Sequence, residues 1–140
     1  MNIWFIKTPE DTKAKWHLVR DFFDRVAKEA AHGEFTVDDM ERMSHDGMLT
    51  TMVFDDDDGN PVMAFAYQYV RYKTGLLSVN IMACGGKKLG ECADAYWEAI
   101  LAFLKQGGAQ MVEARCNKAM ARILARIGFK PTYEVVRIAL

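Results

Sequence analysis

The stretch that decides the fold is residues 76–93, LLSVNIMACGGKKLGECA. Its first part, Leu76 to Ala83, is rich in apolar residues and predicts a strand buried on both faces. A loop with three glycines follows, from Cys84 to Gly90, and a helical pattern begins directly after it. A strand that leads through such a loop into a helix brings unpaired N–H groups and a positive dipole end to one place. The sequence therefore predicts a phosphate or pyrophosphate site at Lys87 to Ala93, with a plain strand-to-helix connection as the alternative.

The chain after this stretch repeats the alternation of helix and strand. One helical face is predicted after the loop, and Gly107-Gly108 ends that helix. Ala109 to Cys116 predicts a strand, Asn117 caps a further helix, and Gly128-Phe129 terminates it. The last alternating segment, Tyr133 to Ala139, predicts a closing strand. The apolar face of the helix after the loop comprises Leu89, Ala93, Tyr96, Ile100 and Leu104.

The chain before this stretch begins with a predicted strand at Asn2 to Lys7. Thr8-Pro9 is a helix start, and one apolar stripe predicts a helix that ends at Gly33. Glu34 to Asp46 predicts a short helix or an ordered loop. Met48 to Phe54 and Pro61 to Tyr72 predict a hairpin. For the four aspartates of its turn we favour a solvated tip over a calcium loop, since Phe54 stands where the first ligand is needed.

The element order is therefore β-α-(α)-β-β-β-α-β-α-β. It predicts an α/β fold, a mixed sheet with helices on both faces, in a single domain spanning residues 1–140. A composition of 51% hydrophobic and 26% charged residues excludes intrinsic disorder, and a net charge of −1 argues against a nucleic-acid partner. Three cysteines without a C-x-x-C pair predict neither a zinc site nor a disulfide set. With no signal-peptide run and no membrane-length apolar stretch, we expect a soluble cytoplasmic protein.

From Leu76 onward the chain resembles the GNAT superfamily of acyl-CoA N-acyltransferases. That family carries Q/R-x-x-G-x-G/A at the loop, and the matching residues here are Lys87, Gly90 and Cys92. The family then has a helix ending in Gly, a strand, an Asn at a helix start and a Gly-Phe at its end. Here these correspond to Gly107 or Gly108, the strand at 109–116, Asn117 and Gly128-Phe129. The part of the chain before Leu76 matches the family in element order.

The resemblance implies two central parallel strands that splay apart, with the pantetheine arm of acetyl-CoA in the gap and no metal. The backbone of Met82, Ala83 and Cys84 would pair with that arm, because an open strand edge offers unpaired N–H and C=O groups. Asn117 would line the far side, near the thioester. The amides that would hold the pyrophosphate are those of Lys87, Lys88, Leu89, Gly90, Glu91, Cys92 and Ala93.

The chain departs from the family pattern at three places. Lys87 and Cys92 replace the usual loop residues, and Glu91 places a negative charge near the anion site. Leu124 stands where the family often has the Tyr that reprotonates the CoA thiolate. For the general base we consider Glu113 on one central strand, with the alternative that it is a surface residue, and Asn80 on the other, which has no basic group and would hold a water.

Two hypotheses follow from different classes of function. The first is an acyl-CoA-dependent N-acyltransferase that moves an acetyl group from acetyl-CoA to a small amine or a protein amine by direct attack. The alternative is a catalytically inactive GNAT-fold binding or structural protein, for example a phage virion-associated or host-interaction protein, with a homodimer or a phage or host protein as partner. The interface of such a protein would be a basic face on the helix after Asn117 together with a Met-rich face. The alternative for the basic face is that it is simply solvated, and the alternative for the methionines is that they fill the core. The residues of these faces are Lys118, Arg122 and Arg126, and Met40, Met43, Met48, Met52 and Met63.

Overall fold

A computed structural model describes residues 2–140 of the chain. It contains a five-stranded sheet and five α-helices among these residues, with a short 3-10 helix between the first two. In chain order the elements are β1 (Asn2–Ile6), α1 (Pro9–Lys15), the 3-10 helix (Trp16–Leu18), α2 (Arg20–Glu29), α3 (Val37–His45), β2 (Thr50–Asp55), β3 (Pro61–Arg71), β4 (Leu77–Gly86), α4 (Leu89–Gln106), β5 (Met111–Ala114) and α5 (Lys118–Ala125).

The strands lie side by side in the order in which they occur along the chain. β1, β2, β3 and β4 pair antiparallel, which confirms the predicted hairpin of β2 and β3, whereas β4 and β5 pair parallel. The parallel pair requires a crossover, and α4 provides it. The mixed sheet with helices on both faces confirms the predicted α/β fold.

Two hydrophobic layers cover the two faces of the sheet. On one face, α1, the 3-10 helix, α2 and α3 pack over a layer that includes Ile6, Phe23 and Met40, called the α1–α3 layer below. On the other face, α4 packs through Ile100 and Leu104 onto residues of β2, β3 and β4. Along most of each strand the side chains alternate between the two layers, and the exceptions are the adjacent pairs Val62 and Met63 in β3 and Met82 and Ala83 in β4.

The first predicted helix is divided in the structure. Thr8 caps α1 as expected and forms a reciprocal capping box with Asp11. The chain then passes through the 3-10 helix before α2 begins, and the rings of Trp16 and Phe23 pack 5.6 Å apart in the core. The prediction that Gly33 ends this helix was wrong: α2 ends at Glu29, and Gly33 takes its positive φ in the bend that follows. The apolar stripe was visible in the sequence, but it continues across the interruption and does not reveal it.

The predicted closing strand at Tyr133 to Ala139 is not formed. Residues 126–140 contain no strand, and the side chains of residues 131–140 are exposed. Arg137 holds this tail to the connection between α2 and α3, with an ion pair of 2.9 Å to Glu34 and a hydrogen bond donated to the carbonyl of His32. The alternation of the tail is therefore a local preference for extended backbone that no neighbouring strand completes.

The methionines divide between core and surface. Met40, Met52 and Met63 are buried core residues, so they do not form part of an exposed Met-rich face. Met43 packs at the edge of the α1–α3 layer, and Met48 is exposed. Among residues 2–140, no helix has the length and apolar character needed to cross a membrane.

Candidate functional site

The parallel strands β4 and β5 form a fork. They pair at four positions, from Ser78 opposite Met111 to Ile81 opposite Ala114. β5 ends there, while β4 continues to Gly86 and pairs only with β3. Within residues 2–140, the edge of β4 that faces away from β3 therefore has no strand beside it from Met82 to Gly86.

A β-bulge lies where the fork opens. Ala66 of β3 faces Ala83 of β4, whereas the next residue, Tyr67, faces Ile81, so Met82 is an extra residue in β4. A bulge bends and twists the strand that carries it. Its position directly after the last pair with β5 explains why β4 turns away from β5 at this point. Nothing in the sequence marks this bulge.

The predicted backbone set for the acyl carrier lies at the opening of this fork. Ala83 is buried against the α1–α3 layer, and Met82 packs at the edge of the same layer. The Cys84 side chain packs on the α4 side, where burial, and secondarily the neighbouring Cys92, raises the pKa of the Cys84 thiol to about 12. The side chains are thus committed to the core, which leaves the backbone edge as the part of this segment that faces the gap.

The three glycines near the start of α4 have different structural roles. Gly85 and Gly86 belong to β4 and not to the predicted loop. A Cβ on Gly85 would lie 2.8 Å from the carbonyl oxygen of Phe22 in α2, and Gly86 has a φ of +130°. Gly90, in the first turn of α4, has no atom within 4 Å of where a Cβ would be. Of the three, only Gly90 leaves open space beside the helix start.

The N-terminus of α4 is uncapped by any side chain. Lys88 occupies the capping position, and the amide of Cys92 is the first to donate back, to the Lys88 carbonyl at 2.9 Å. An uncapped helix start leaves the N–H groups of its first turn available to an anion. α4 has 18 residues, so its full dipole acts at this point.

The positive charges of the loop at the start of α4 are partly neutralised by a neighbouring carboxylate. Lys87 is exposed, and the Lys88 ammonium lies 3.8 Å from the carboxylate of Glu91. The Cys92 side chain points into the core, where it is fully buried in the layer under α4. The pKa of the Cys92 thiol is raised, and burial is the main cause. Ala93, the last residue of the predicted cradle, is half-buried one position further along α4.

Asn117 and Leu124 belong to α5, on the far side of the fork. Asn117 caps this helix, with its side-chain oxygen accepting from the amide of Met120 at 2.9 Å. Leu124 is half-buried, and its carbonyl accepts from the amide of Phe129 at 3.1 Å. The ring of Phe129 packs 5.5 Å from that of Trp97 in α4, which fixes the end of α5 against the longer helix.

Glu113 and Asn80 are opposite each other in the β4–β5 register. One carboxylate oxygen of Glu113, Oε2, accepts from the Ser78 hydroxyl at 2.7 Å and from the Tyr72 hydroxyl at 2.6 Å. The bond to Glu113 is the main reason why the pKa of Tyr72 is raised. No signal in the sequence points to Tyr72, since 41 positions separate it from Glu113 and only the strand pairing brings the two together.

No described group of three or more His, Cys, Asp or Glu residues, within 2–140, is arranged to hold a metal ion. The chemical groups at the fork are thus a free backbone edge, an uncapped helix start and a carboxylate fixed by two hydroxyls. Such a set can pair with an amide-bearing chain, bind an anionic group and accept a proton.

The sequence matches no family profile and no curated protein, but solved structures match over the full chain. A tetramutant of a Bacillus halodurans protein has a TM-score of 0.72 at 15% identity, with 100% of both chains covered. A ribosomal-protein-alanine N-acetyltransferase from Brucella melitensis biovar Abortus 2308 has a TM-score of 0.71 at 13% identity, again with 100% of both chains covered. An aminoglycoside acetyltransferase from an uncultured soil metagenomic sample, in complex with sisomicin, has a TM-score of 0.69 at 12% identity and covers 99% of this chain and 94% of its own. This likeness confirms the fold that the sequence predicted.

Proposed function

We propose that this chain, which has the fold of the GNAT acetyltransferases, is an acyl-CoA-dependent N-acyltransferase that transfers an acetyl group from acetyl-CoA to an amine. The observation that carries the proposal is the fork between β4 and β5, which opens directly beside an uncapped helix start. One feature offers backbone groups to the amides of a pantetheine arm, and the other offers N–H groups to a pyrophosphate. Acetyl-CoA contains both chemical groups in one molecule.

The residues around the opening fit the two parts of acetyl-CoA. The free edge at Met82 to Cys84 would pair with the pantetheine arm. The first turn of α4 would hold the pyrophosphate, because Gly90 adds no side chain there and Lys87 and Lys88 bring positive charge. Asn117, at the start of α5, would line the opposite side of the gap.

The reaction would proceed by direct attack of the amine nitrogen on the thioester carbonyl carbon. A C–N bond forms, the C–S bond breaks, and the nitrogen loses one proton. Glu113 would accept that proton through a water held by Asn80, since the Glu113 carboxylate reaches back to Ser78 and away from the opening. The thiolate would take its proton from solvent, because Leu124 has none to give. Alignment of the two reactants in the gap would supply much of the rate.

The acceptor is proposed to be an amine on a small molecule or a protein. Two structural neighbours support this class by their names, one for ribosomal-protein alanine and the other for aminoglycosides. A carboxylate such as Glu113 also attracts the ammonium form of an amine before it loses its proton.

A second candidate is a binding or structural protein that keeps the fold without catalysis. Leu124 favours it, because this residue removes the usual source of the thiolate proton. The exposed apolar side chains of the tail, among them Val136 and Ile138, also favour a protein partner. Under this candidate, acetyl-CoA neither binds nor is turned over.

Calorimetry and thermal unfolding with acetyl-CoA test the proposal. At about 100 times its dissociation constant, a bound ligand stabilises a protein by about 2.7 kcal/mol, which raises the melting temperature of a domain of this size by about 8 °C. Free CoA is the matched comparison, because it shares the pyrophosphate and pantetheine arm but lacks the acetyl group. If neither binding heat nor a thermal shift is seen at millimolar acetyl-CoA, the acyltransferase proposal is refuted and the second candidate is favoured.

A further inference from the structure

We infer that Tyr72 and Ser78 are positioning residues that fix the carboxylate of Glu113 for proton transfer, an inference that rests on the proposed function. Both hydroxyls donate to the same oxygen, Oε2, at 2.6 and 2.7 Å. These distances lie in the range of charge-assisted hydrogen bonds from a hydroxyl to a carboxylate. Two donors on one oxygen hold the carboxylate in one rotamer and leave Oε1 as the oxygen that meets a water or an amine.

The two donors are themselves held in place. Ser78 is fully buried in β4 and is itself paired with Met111 of β5. Tyr72 lies in the turn between β3 and β4, where its amide donates to the Leu76 carbonyl at 2.9 Å and its carbonyl accepts from Gly75 at 2.9 Å. Neither hydroxyl therefore needs to move in order to reach Glu113. A catalytic carboxylate gains from such support because a small displacement of the base lowers the rate steeply.

A purely structural role explains this arrangement less well. β4 and β5 are already joined by paired backbone at four positions, so the strands do not need a side-chain link. Tyr72 is 43% exposed, so its hydroxyl could bind water in place of Glu113 at little cost. An exposed hydrogen bond such as that of the Tyr72 hydroxyl adds little to the stability of a fold.

The raised pKa of Tyr72 agrees with this geometry. Its largest cause is the hydrogen bond to Glu113, and Tyr133 adds a smaller electrostatic effect. Glu113 and Tyr133 are the titratable groups that act on the Tyr72 hydroxyl. The Tyr72 ring thus reports on the carboxylate, and its titration can be followed by NMR without any substrate.

The kinetic test uses basal hydrolysis of acetyl-CoA, in which water takes the place of the amine. Water attacks the thioester carbonyl, its proton passes to Glu113, and acetate and the free thiol are formed. The released thiol gives the rate without knowledge of the natural acceptor. The variants are Tyr72→Phe, Ser78→Ala, Glu113→Gln and the double variant Tyr72→Phe/Glu113→Gln. The matched control is Tyr69→Phe, which removes the hydroxyl of another exposed tyrosine, on β3.

We expect Glu113→Gln to lower kcat about 100-fold and Tyr72→Phe and Ser78→Ala about tenfold each. The KM for acetyl-CoA and the melting temperature of Tyr72→Phe should equal those of the wild type and of Tyr69→Phe. The double variant should be no slower than Glu113→Gln, because Tyr72 acts only through that carboxylate. In the NMR titration, Glu113→Gln should lower the pKa of Tyr72 toward its ordinary value.

The outcomes separate this inference from the proposed function. Binding and hydrolysis of acetyl-CoA by the wild type, with Tyr72→Phe within twofold of it, overturn the positioning role and leave the transferase proposal intact. A double variant about tenfold slower than Glu113→Gln also overturns it, since Tyr72 would then act independently. Failure of the wild type to bind or to hydrolyse acetyl-CoA overturns the inference together with the catalytic role of Glu113.

Discussion

Replacement of Gly90 by Glu should have opposite effects on folding and on acetyl-CoA binding. Gly90 occupies the second position of α4, its φ lies outside the left-handed region, and a Cβ there would meet no atom within 4 Å. A side chain can therefore be added without strain. The same open space is where the pyrophosphate is proposed to lie.

The structure gives the sign and the size of both effects. Removing a glycine from a helix gains about 0.5–1 kcal/mol, and an acidic residue in the first turn gains about 0.3–1 kcal/mol. We therefore expect the free energy of unfolding to rise by about 1 kcal/mol. A carboxylate about 5 Å from one phosphate charge costs about 3 kcal/mol at an effective dielectric constant of about 20, which weakens binding about 100-fold.

Thermal unfolding measures the first effect, and calorimetry with acetyl-CoA measures the second. Gly90→Gln is the matched control, because it has nearly the same volume and no charge. Its stability should also rise, and its binding should lie between that of the wild type and that of Gly90→Glu. The difference in affinity between the two variants should narrow at about 0.5 M salt, since a Debye length of about 4 Å screens the added charge.

Two results would refute this reasoning. If Gly90→Glu binds acetyl-CoA within twofold of the wild type, no phosphate lies at the start of α4. If Gly90→Glu unfolds more readily than the wild type, the space beside this helix start is not open.

Three further predictions concern folding and thiol chemistry. Gly85→Ala should lower the free energy of unfolding by about 1–3 kcal/mol, because its Cβ would lie 2.8 Å from a carbonyl oxygen of α2, whereas Gly90→Ala, measured by the same denaturant unfolding, should not destabilise. Thr51→Val should raise stability by about 1 kcal/mol, since the Thr51 hydroxyl is buried without a hydrogen-bond partner within residues 2–140, and a loss of stability by the same measurement would contradict this. At pH 8 iodoacetamide should label the exposed Cys116 well before the half-buried Cys84, whose raised pKa of about 12 keeps the thiol protonated. Mass spectrometry of peptides measures the two rates, and equal rates would contradict the raised pKa of Cys84. Because burial raises the pKa of Cys84 above its unfolded value, its contribution to stability is complete below about pH 9 and is lost as the pH rises toward 12.

The sequence located most of the fork through local signals. The apolar run from Leu76 predicted β4, and apolar residues at a period of 3.6 predicted α4. The start of α5 was readable because Asn117 caps it with its own side chain, a contact three residues long. Gly85 and Gly86 were assigned to a loop, since glycine usually interrupts a strand, but here β4 continues through them because α2 needs close approach at Gly85.

The details of the site followed from contacts between distant residues. The sequence placed Glu113 and Asn80 on two neighbouring strands but gave no register, and without a register the roles of Ser78 and Tyr72 were invisible. The bulge at Met82, which opens the fork, likewise depends on how β3 and β4 align. In the tail, residues 131–140, the sequence alternates as a strand does, but no strand forms because no neighbouring strand pairs with it.

By itself, then, the sequence determined most of the elements, their order and the side-chain caps at Thr8 and Asn117, because hydrogen bonds and side-chain periodicity within a few residues fix these features. Only the tertiary structure decided that β4 and β5 separate after Ile81 and that two hydroxyls converge on Glu113. The physical reason is strand register: a shift of one residue turns every side chain to the other face of the sheet, and register depends on packing across the whole sheet rather than on any one segment.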